Sequence, residues 1–414
     1  MKKFFATTFS SLKVRNYRLY ATSQFISYIG TFLSALAQDW LVLQLTNSGV
    51  MLGLVSALQF LPVLILTPYG GVIADRFPKL KLLYITQTIS LVLSALLGIL
   101  VLTGAVQLWM VFLFALFLGL TTSLDNPARQ SFVYEMVGKD HIKNAVSLWA
   151  IIISGSRIIG PTIAGILIAL VGIGWCFVIN AASYIAVLIG LFMMVPGELY
   201  TTPPIAAEKG QIMEGFRYVR KTPILFDPLL MMAIIGTFTF EFQASLPLFA
   251  RFVLHGDAGT YALITVSVSV GMLIGGLFNT RIQNITEKLL VVAAFFLGIF
   301  SIVPALLSNI IFLVVSFALM GLFMIMFANL SNSILQLNTD SAMRGRVMAL
   351  WSMAFVGSTT IGGPIIGWIG QMFGARWTLG IGGAAAILAA VYGWNVISRR
   401  ASGINTSLPE WRPR

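Results

Sequence analysis

Twelve apolar runs, joined by short charged connections, occupy most of this chain, and few folds tolerate that pattern. About 20 helical residues cross the hydrocarbon of a bilayer. Backbone in lipid must also satisfy its own hydrogen bonds, so each run reads as a spanning helix. The runs fall near 17–45, 50–74, 82–104, 107–128, 144–171, 174–195, 225–252, 258–282, 287–307, 310–333, 346–371 and 376–397. Composition agrees: 58% of residues are hydrophobic, 10% are charged, and mean hydropathy is +0.91. A soluble domain carries about 25% charge.

The charges have a side. Of the 26 Lys and Arg, all but Arg157, Arg251 and Arg376 fall at one face of this layout. Positive charge collects in cytoplasmic loops, so both termini are expected in the cytoplasm. The net charge of +12 then answers an anionic leaflet and not a nucleic acid. Residues 1–20 hold Lys2, Lys3, Lys13, Arg15 and Arg18 without a short apolar core and small-residue cleavage site, so no cleaved signal is expected. The single cysteine, Cys176, excludes an internal disulfide or a cysteine-rich metal site. His141 and His255 stand apart, with no metal-ligand spacing. The sequence has no phosphate-cradling Gly-x-x-x-x-Gly-Lys. No enzyme, cofactor or metal is expected, and the energy source would be an ion gradient.

The two halves repeat. Leu148-Trp149 followed by Gly160-Pro161 returns as Leu350-Trp351 followed by Gly363-Pro364, and Gly119 returns as Gly321. Between the halves lies a polar connection with Pro203-Pro204, Glu208, Lys209 and Glu214. It closes on Gly215 to Pro223, which reads as a short amphipathic helix on the membrane surface. The expected organisation is an all-α membrane protein: a six-helix bundle at 1–196, a cytoplasmic linker at 197–224, and a second bundle with a short tail at 225–414. Duplication implies a pseudo-two-fold axis along the membrane normal, with a cavity between the bundles.

Polar groups at bilayer depth should line that cavity, because they are costly against lipid. The first run carries Gln24, Ser27, Tyr28, Thr31 and Gln38 at steps that share one face, with Asp39 just beyond. Gln59 and Gln243 are further polar candidates. Asp125, Asn126 and Arg129 on the fourth run, and Asn329 and Asn332 on the tenth, lie near cytoplasmic ends and suggest a gate. Two charges stand at mid-depth, Arg157 and Glu241. Glu241 is the candidate proton-coupling carboxylate, with Arg157 as its switching partner or a counter-charge to substrate. A static ion pair between them is the alternative.

The connection Gly71-Val-Ile-Ala-Asp75-Arg76-Phe-Pro-Lys79 carries a further signal. Gly71 permits close helix approach, Asp75 can accept at a helix N-terminus, and Arg76 can pair with a carboxylate. A plain basic loop without a conformational role is the alternative. The stretch resembles the loop-2/3 signature of the major facilitator superfamily, whose members rock two six-helix halves about a central site. Gly155, Gly160, Pro161 and Gly165 around Arg157 resemble the helix-5 motif of that superfamily's antiporters. Pro161 removes a backbone donor there, which permits a bend.

Asp125-Asn-Pro-Ala-Arg129-Gln, Val137-Gly138-Lys139, Asn144-Ala145-Val146 and Leu246 to Arg251 resemble its bacterial efflux branch, of the transmembrane secretion effector type. The resemblance implies a monomer in the bacterial inner membrane. Such a protein exports a small siderophore- or drug-like molecule by proton antiport. A lipid or lysolipid flippase of the same fold, or a sensor without turnover, are the other readings.

Overall fold

The computed structural model describes residues 10–200, 211–307, 309–340 and 343–401, and every regular element among them is helical. In chain order the first helices are α1 (Arg15–Thr46), α2 (Gly49–Arg76) and α3 (Lys79–Leu102). A continuous stretch Leu108–Leu170 follows, then α6 (Gly174–Phe192). Sixty-three residues in one rod would run about 95 Å, against ~30 Å of hydrocarbon. The chain turns instead at Gly138, with φ 64° and ψ −171°, a backbone that side chains disfavour. Its arms are α4 (108–137) and α5 (139–170). The Tyr200 ring covers the turn, and the Tyr200 backbone N–H donates to the Glu135 carbonyl at 2.7 Å. Among the described residues eleven helical stretches are long and apolar enough to cross a membrane, and this one counts twice, which accounts for the twelve expected crossings.

The remaining helices are α7 (Gln211–Lys221), α8 (Pro223–Phe238), α9 (Phe242–Leu248), α10 (Ala258–Asn279), α11 (Glu287–Leu306), α12 (Ile310–Leu337), α13 (Arg344–Ser352), α14 (Ser358–Met372) and α15 (Ala375–Ala401). Helix α7 is the expected amphipathic segment; Pro203, Pro204, Glu208 and Lys209 lie outside the described residues. Two runs expected to be continuous are not. The run at 225–252 breaks between α8 and α9, then ends in a π-turn at Phe249–Val253. Thr237-Phe-Thr-Phe-Glu241-Phe combines β-branched and aromatic residues of modest helix propensity. The Thr239 hydroxyl pins the break by donating to the Gly382 carbonyl at 2.7 Å. The run at 346–371 is α13 and α14 joined by a π-turn at Met353–Gly357. Backbone angles around Pro161 stay helical, since Gly138 is the non-helical residue of its stretch.

Two compact units form. Unit 1 holds 10–47, 58–200 and 258–262; unit 2 holds the other described residues, including 48–57. In unit 1, α1 packs on the α4–α5 stretch and on α6, while α3 packs on α6. Tyr17, Tyr20, Leu83, Phe132 and Met136 are sealed at its centre. In unit 2, α11 packs on α15 and α12, and α8 on α15 and α14. Lipid is as apolar as leucine, so close packing rather than water exclusion holds such helices together. The first turns of α2 show how close: Gly49 and Gly53 lie on the backbone of Gly367 and Gly363 of α14, and Ser48 Oγ donates to Gln371 Oε1 at 2.6 Å. The sequence repeat has a common use. Gly119 seats the Gln59 carbonyl in unit 1, and Gly321 seats the Val268 carbonyl in unit 2.

Candidate functional site

In unit 1 the polar stripe of α1 runs into a buried ion pair. Arg129 donates to Asp125 through Nε and to Gln24 Oε1 through Nη1. Asp125 Oδ1 accepts from Thr86 Oγ1 at 2.6 Å and from Gln87 Nε2 at 2.8 Å. The Arg129 guanidinium lies 5.5 Å from the centre of the Tyr28 ring. Trp149 meets Tyr28 edge-on at 5.4 Å and stacks on Tyr20 at 5.7 Å. Asp125 and Arg129, expected near a gate, thus sit inside the unit 1 core, with Asn126 half-buried beside them. Tyr20 Oη, Gln24 Nε2 and Gln87 Oε1 are buried there without a hydrogen-bond partner among the described residues.

Further along α1, Thr31 Oγ1 donates to the Ser27 carbonyl at 2.9 Å, and Gln38 Nε2 donates to Gln59 Oε1 at 3.1 Å. Asp39 is 4% exposed and accepts from Tyr261 Oη at 2.8 Å. The Tyr261 ring stacks on Trp40. Arg157 is half-buried, its guanidinium 5.4 Å from the centre of the Phe32 ring. The neighbouring glycines explain how α5 comes so near. A Cβ on Gly160 would stand 2.7 Å from Phe32 Cβ, and one on Gly165 would stand 2.7 Å from Ala262 Cβ. Pro161 is buried between them, whereas a Cβ on Gly155 would make ordinary contact with the Phe25 ring at 3.7 Å.

Of the loop signature, Lys79 is buried and pairs with Glu135 at 2.8 Å, while Arg76 is exposed. The side chains of Gly71 and Asp75 lie outside the described residues.

Unit 2 holds Glu241 in the break between α8 and α9. The residue is 2% exposed, and among the described residues neither carboxylate oxygen has a well-formed hydrogen bond. The Thr359 side chain is within reach as a donor, at poor hydrogen-bond geometry. Gly362 of α14 makes the space: a Cβ there would stand 2.6 Å from Glu241 Oε1. Gln243 Oε1, Trp351 Nε1 and Thr360 Oγ1 are also buried without hydrogen-bond partners among the described residues. Asn332 Oδ1 accepts from Gln336 Nε2 at 2.6 Å, and Asn329 is exposed. Arg400 closes the end of the unit, bridging Asp227 and Glu287, with Tyr392 Oη donating to Asp227 at 2.8 Å.

Sequence reasoning missed Thr86, Gln87 and Tyr28 as the setting of the Asp125–Arg129 pair, Tyr261 as the donor to Asp39, and Glu135 as the partner of Lys79. Each partner lies on a helix distant in sequence, where spacing carries no signal. Trp149 was visible as half of the Leu-Trp repeat, and Gln24 and Tyr28 as members of the polar stripe, though not as partners of the pair.

Solved structures share this arrangement of helical bundles. A bacterial homologue of the human lysosomal transporter Spinster superposes with a TM-score of 0.72, at 12% identity, over 95% of this chain and 98% of that one. A transporter of the POT family superposes with a TM-score of 0.74, at 10% identity, over 94% and 96%. The protein is a multi-pass membrane transporter of the major facilitator superfamily. Residues 6–411 match the transmembrane secretion effector family, and the chain belongs to it. It is similar to the staphyloferrin A transporter of Staphylococcus aureus, with 25% identity over 89% of this chain and 93% of that protein. It is also similar to the enterobactin exporter EntS of Citrobacter koseri, with 24% identity over 86% of this chain and 85% of that protein.

Proposed function

We propose that the protein exports a small organic molecule of siderophore- or drug-like kind by proton antiport, and that Glu241 carries the proton. The reading places it in a bacterial inner membrane with both termini in the cytoplasm, as the distribution of Lys and Arg indicates. The observation that carries the coupling is the setting of Glu241: buried, without a well-formed hydrogen bond among the described residues, at a helix break. A buried carboxylate with so little to stabilise it as an anion is costly, and a proton removes that cost. If the break opens to water in one state, the proton can leave there. Two relatives bearing transport names, one for staphyloferrin A and one for enterobactin, support a siderophore-like cargo. A proton moving inward yields ~2.3 kcal/mol per 100 mV of potential, which sustains about a 50-fold concentration gradient.

The test begins with thermal-shift screening of purified protein against siderophores, macrolides and hydrophobic cations. Each hit is then followed in proteoliposomes under an imposed pH gradient. Wild-type flux is expected to follow the gradient and to collapse with a protonophore. Glu241→Gln is expected to keep substrate exchange at equal pH and to lose the response to the gradient. A Glu241→Gln protein whose flux still tracks the pH gradient overturns the assignment.

A further inference from the structure

Helix α7 has two unlike faces. One is sealed onto unit 2: Val219 is 1% exposed and packs with Leu225, Leu335, Val347 and Leu350. Gly215 lies against Arg346, where a Cβ would stand 2.9 Å from Arg346 Cβ. Glu214 pairs with Arg346 at 3.1 Å, and Tyr218 Oη donates to Asp340 at 3.0 Å. The other face carries Met213, Phe216, Arg217 and Arg220, at helical steps of three and four, with Lys221 at its edge. All five are exposed, Met213 at 65% and Phe216 at 48%. Arg344, at the start of the adjoining α13, is exposed too. Large apolar side chains and cations thus share a surface, with Glu214, paired to Arg346, at its edge.

The place of this surface in the chain specifies its partner. Only Thr222 separates Lys221 from α8, the start of a stretch that crosses the membrane. A helix ending one residue before a crossing sits at the level of the lipid headgroups. Apolar side chains can dip below that level while Arg and Lys meet negative charge. We propose that the exposed face of α7 binds anionic lipid headgroups in the leaflet on its own side. The contact has a route inward. Arg346 and Val347, which hold α7, belong to α13, and α13 continues through the π-turn into α14, whose Gly362 abuts Glu241.

The experiment uses the full chain carrying Met213→Cys, labelled there with a bimane fluorophore; the native Cys176 is buried. The protein is reconstituted in phosphatidylcholine vesicles, and in vesicles with a third of that lipid replaced by phosphatidylglycerol. Quenching by neutral acrylamide is expected to fall severalfold in the anionic vesicles and to recover in high salt, as electrostatic attraction requires. With Arg217→Gln, Arg220→Gln and Lys221→Gln added, the lipid dependence is expected to vanish, since each cation contributes about fivefold to anionic-surface affinity. Equal quenching of the otherwise native protein in the two lipids overturns the proposal. Strong quenching in both leaves the face to a soluble partner, and weak quenching in both leaves it to apolar insertion alone. None of these readings requires transport, so the outcome is independent of whether the export reading holds.

Discussion

Asp125 in unit 1 and Glu241 in unit 2 are both buried carboxylates in membrane-crossing stretches, 6% and 2% exposed, yet their surroundings differ in kind. Asp125 accepts from Thr86, Gln87 and Arg129, and Arg129 is held in turn by Gln24 and the Tyr28 ring. Among the described residues Glu241 accepts no well-formed hydrogen bond, with Thr359 the donor within reach, and it faces a glycine. Isolated charge in a low-dielectric interior costs several kcal/mol, and pairing with good hydrogen bonds repays it. The first carboxylate is thus part of the scaffold, while the second is a place where protonation changes the energy. Asp125 is fixed by its neighbours, as Asp227 of unit 2 is by Arg400 and Tyr392, whereas Glu241 is not.

The largest test of that contrast removes a cation. Arg129→Ala leaves Asp125 charged and buried, and about 3–5 kcal/mol of stability should be lost. Unfolding of purified protein in mixed micelles with increasing SDS measures it. Adding Asp125→Ala to Arg129→Ala should recover part of the loss, because the double change leaves no lone charge. A double variant as unstable as the sum of its singles would break the scaffold reading.

Smaller effects sharpen the other side. Gly362→Val drives a branched side chain toward Glu241 and the Thr237 carbonyl. It should cost toward the upper end of ~1–3 kcal/mol as overpacking, and should slow substrate exchange even where pH is equal. Undiminished exchange with normal stability would mean that the carboxylate is free to move aside. Tyr261→Phe takes the donor from Asp39 and leaves the ring stack on Trp40 in place. The expected loss is about 0.5–1.5 kcal/mol, the scale of one intramolecular hydrogen bond. The same unfolding titration reads it, and Tyr261→Phe with Asp39→Asn should be closer to native than Tyr261→Phe alone.

What the sequence revealed follows from period and charge. Apolar runs long enough to cross a bilayer gave the helices, and the repeat from Gly160-Pro161 to Gly363-Pro364 gave the duplication. Glu241, Arg157 and Asp39 stood out because ionisable groups are rare in such runs. The turn at Gly138 was hidden, since a glycine followed by helix-compatible residues does not show its φ in sequence. The break before α9 was hidden for another reason: hydropathy stays high through Thr237 to Phe242, and hydropathy cannot distinguish a continuous helix from an interrupted one. Pairings such as Lys79 with Glu135 or Asp39 with Tyr261 join distant helices and exist only once packing is known.

The smallest stability effect is also the most discriminating. Glu241→Gln keeps side-chain size and removes the ionisable group, and no well-formed hydrogen bond among the described residues is lost. The new amide brings its own unsatisfied donors, so a small cost replaces the one removed, and net stability should change by less than ~1 kcal/mol. The matching change at the other site, Asp125→Asn, puts an amide where three donors converge, and at least one donor must then face another. That variant should lose clearly more, at about 1.5–3 kcal/mol for a disrupted charged hydrogen bond. Measured side by side in the same micelles, a near-neutral Glu241→Gln beside a costly Asp125→Asn is the signature of a carrier set against a scaffold. Equal losses at the two positions would mean that Glu241 is held by contacts as firm as those of Asp125, and the difference between the units would disappear.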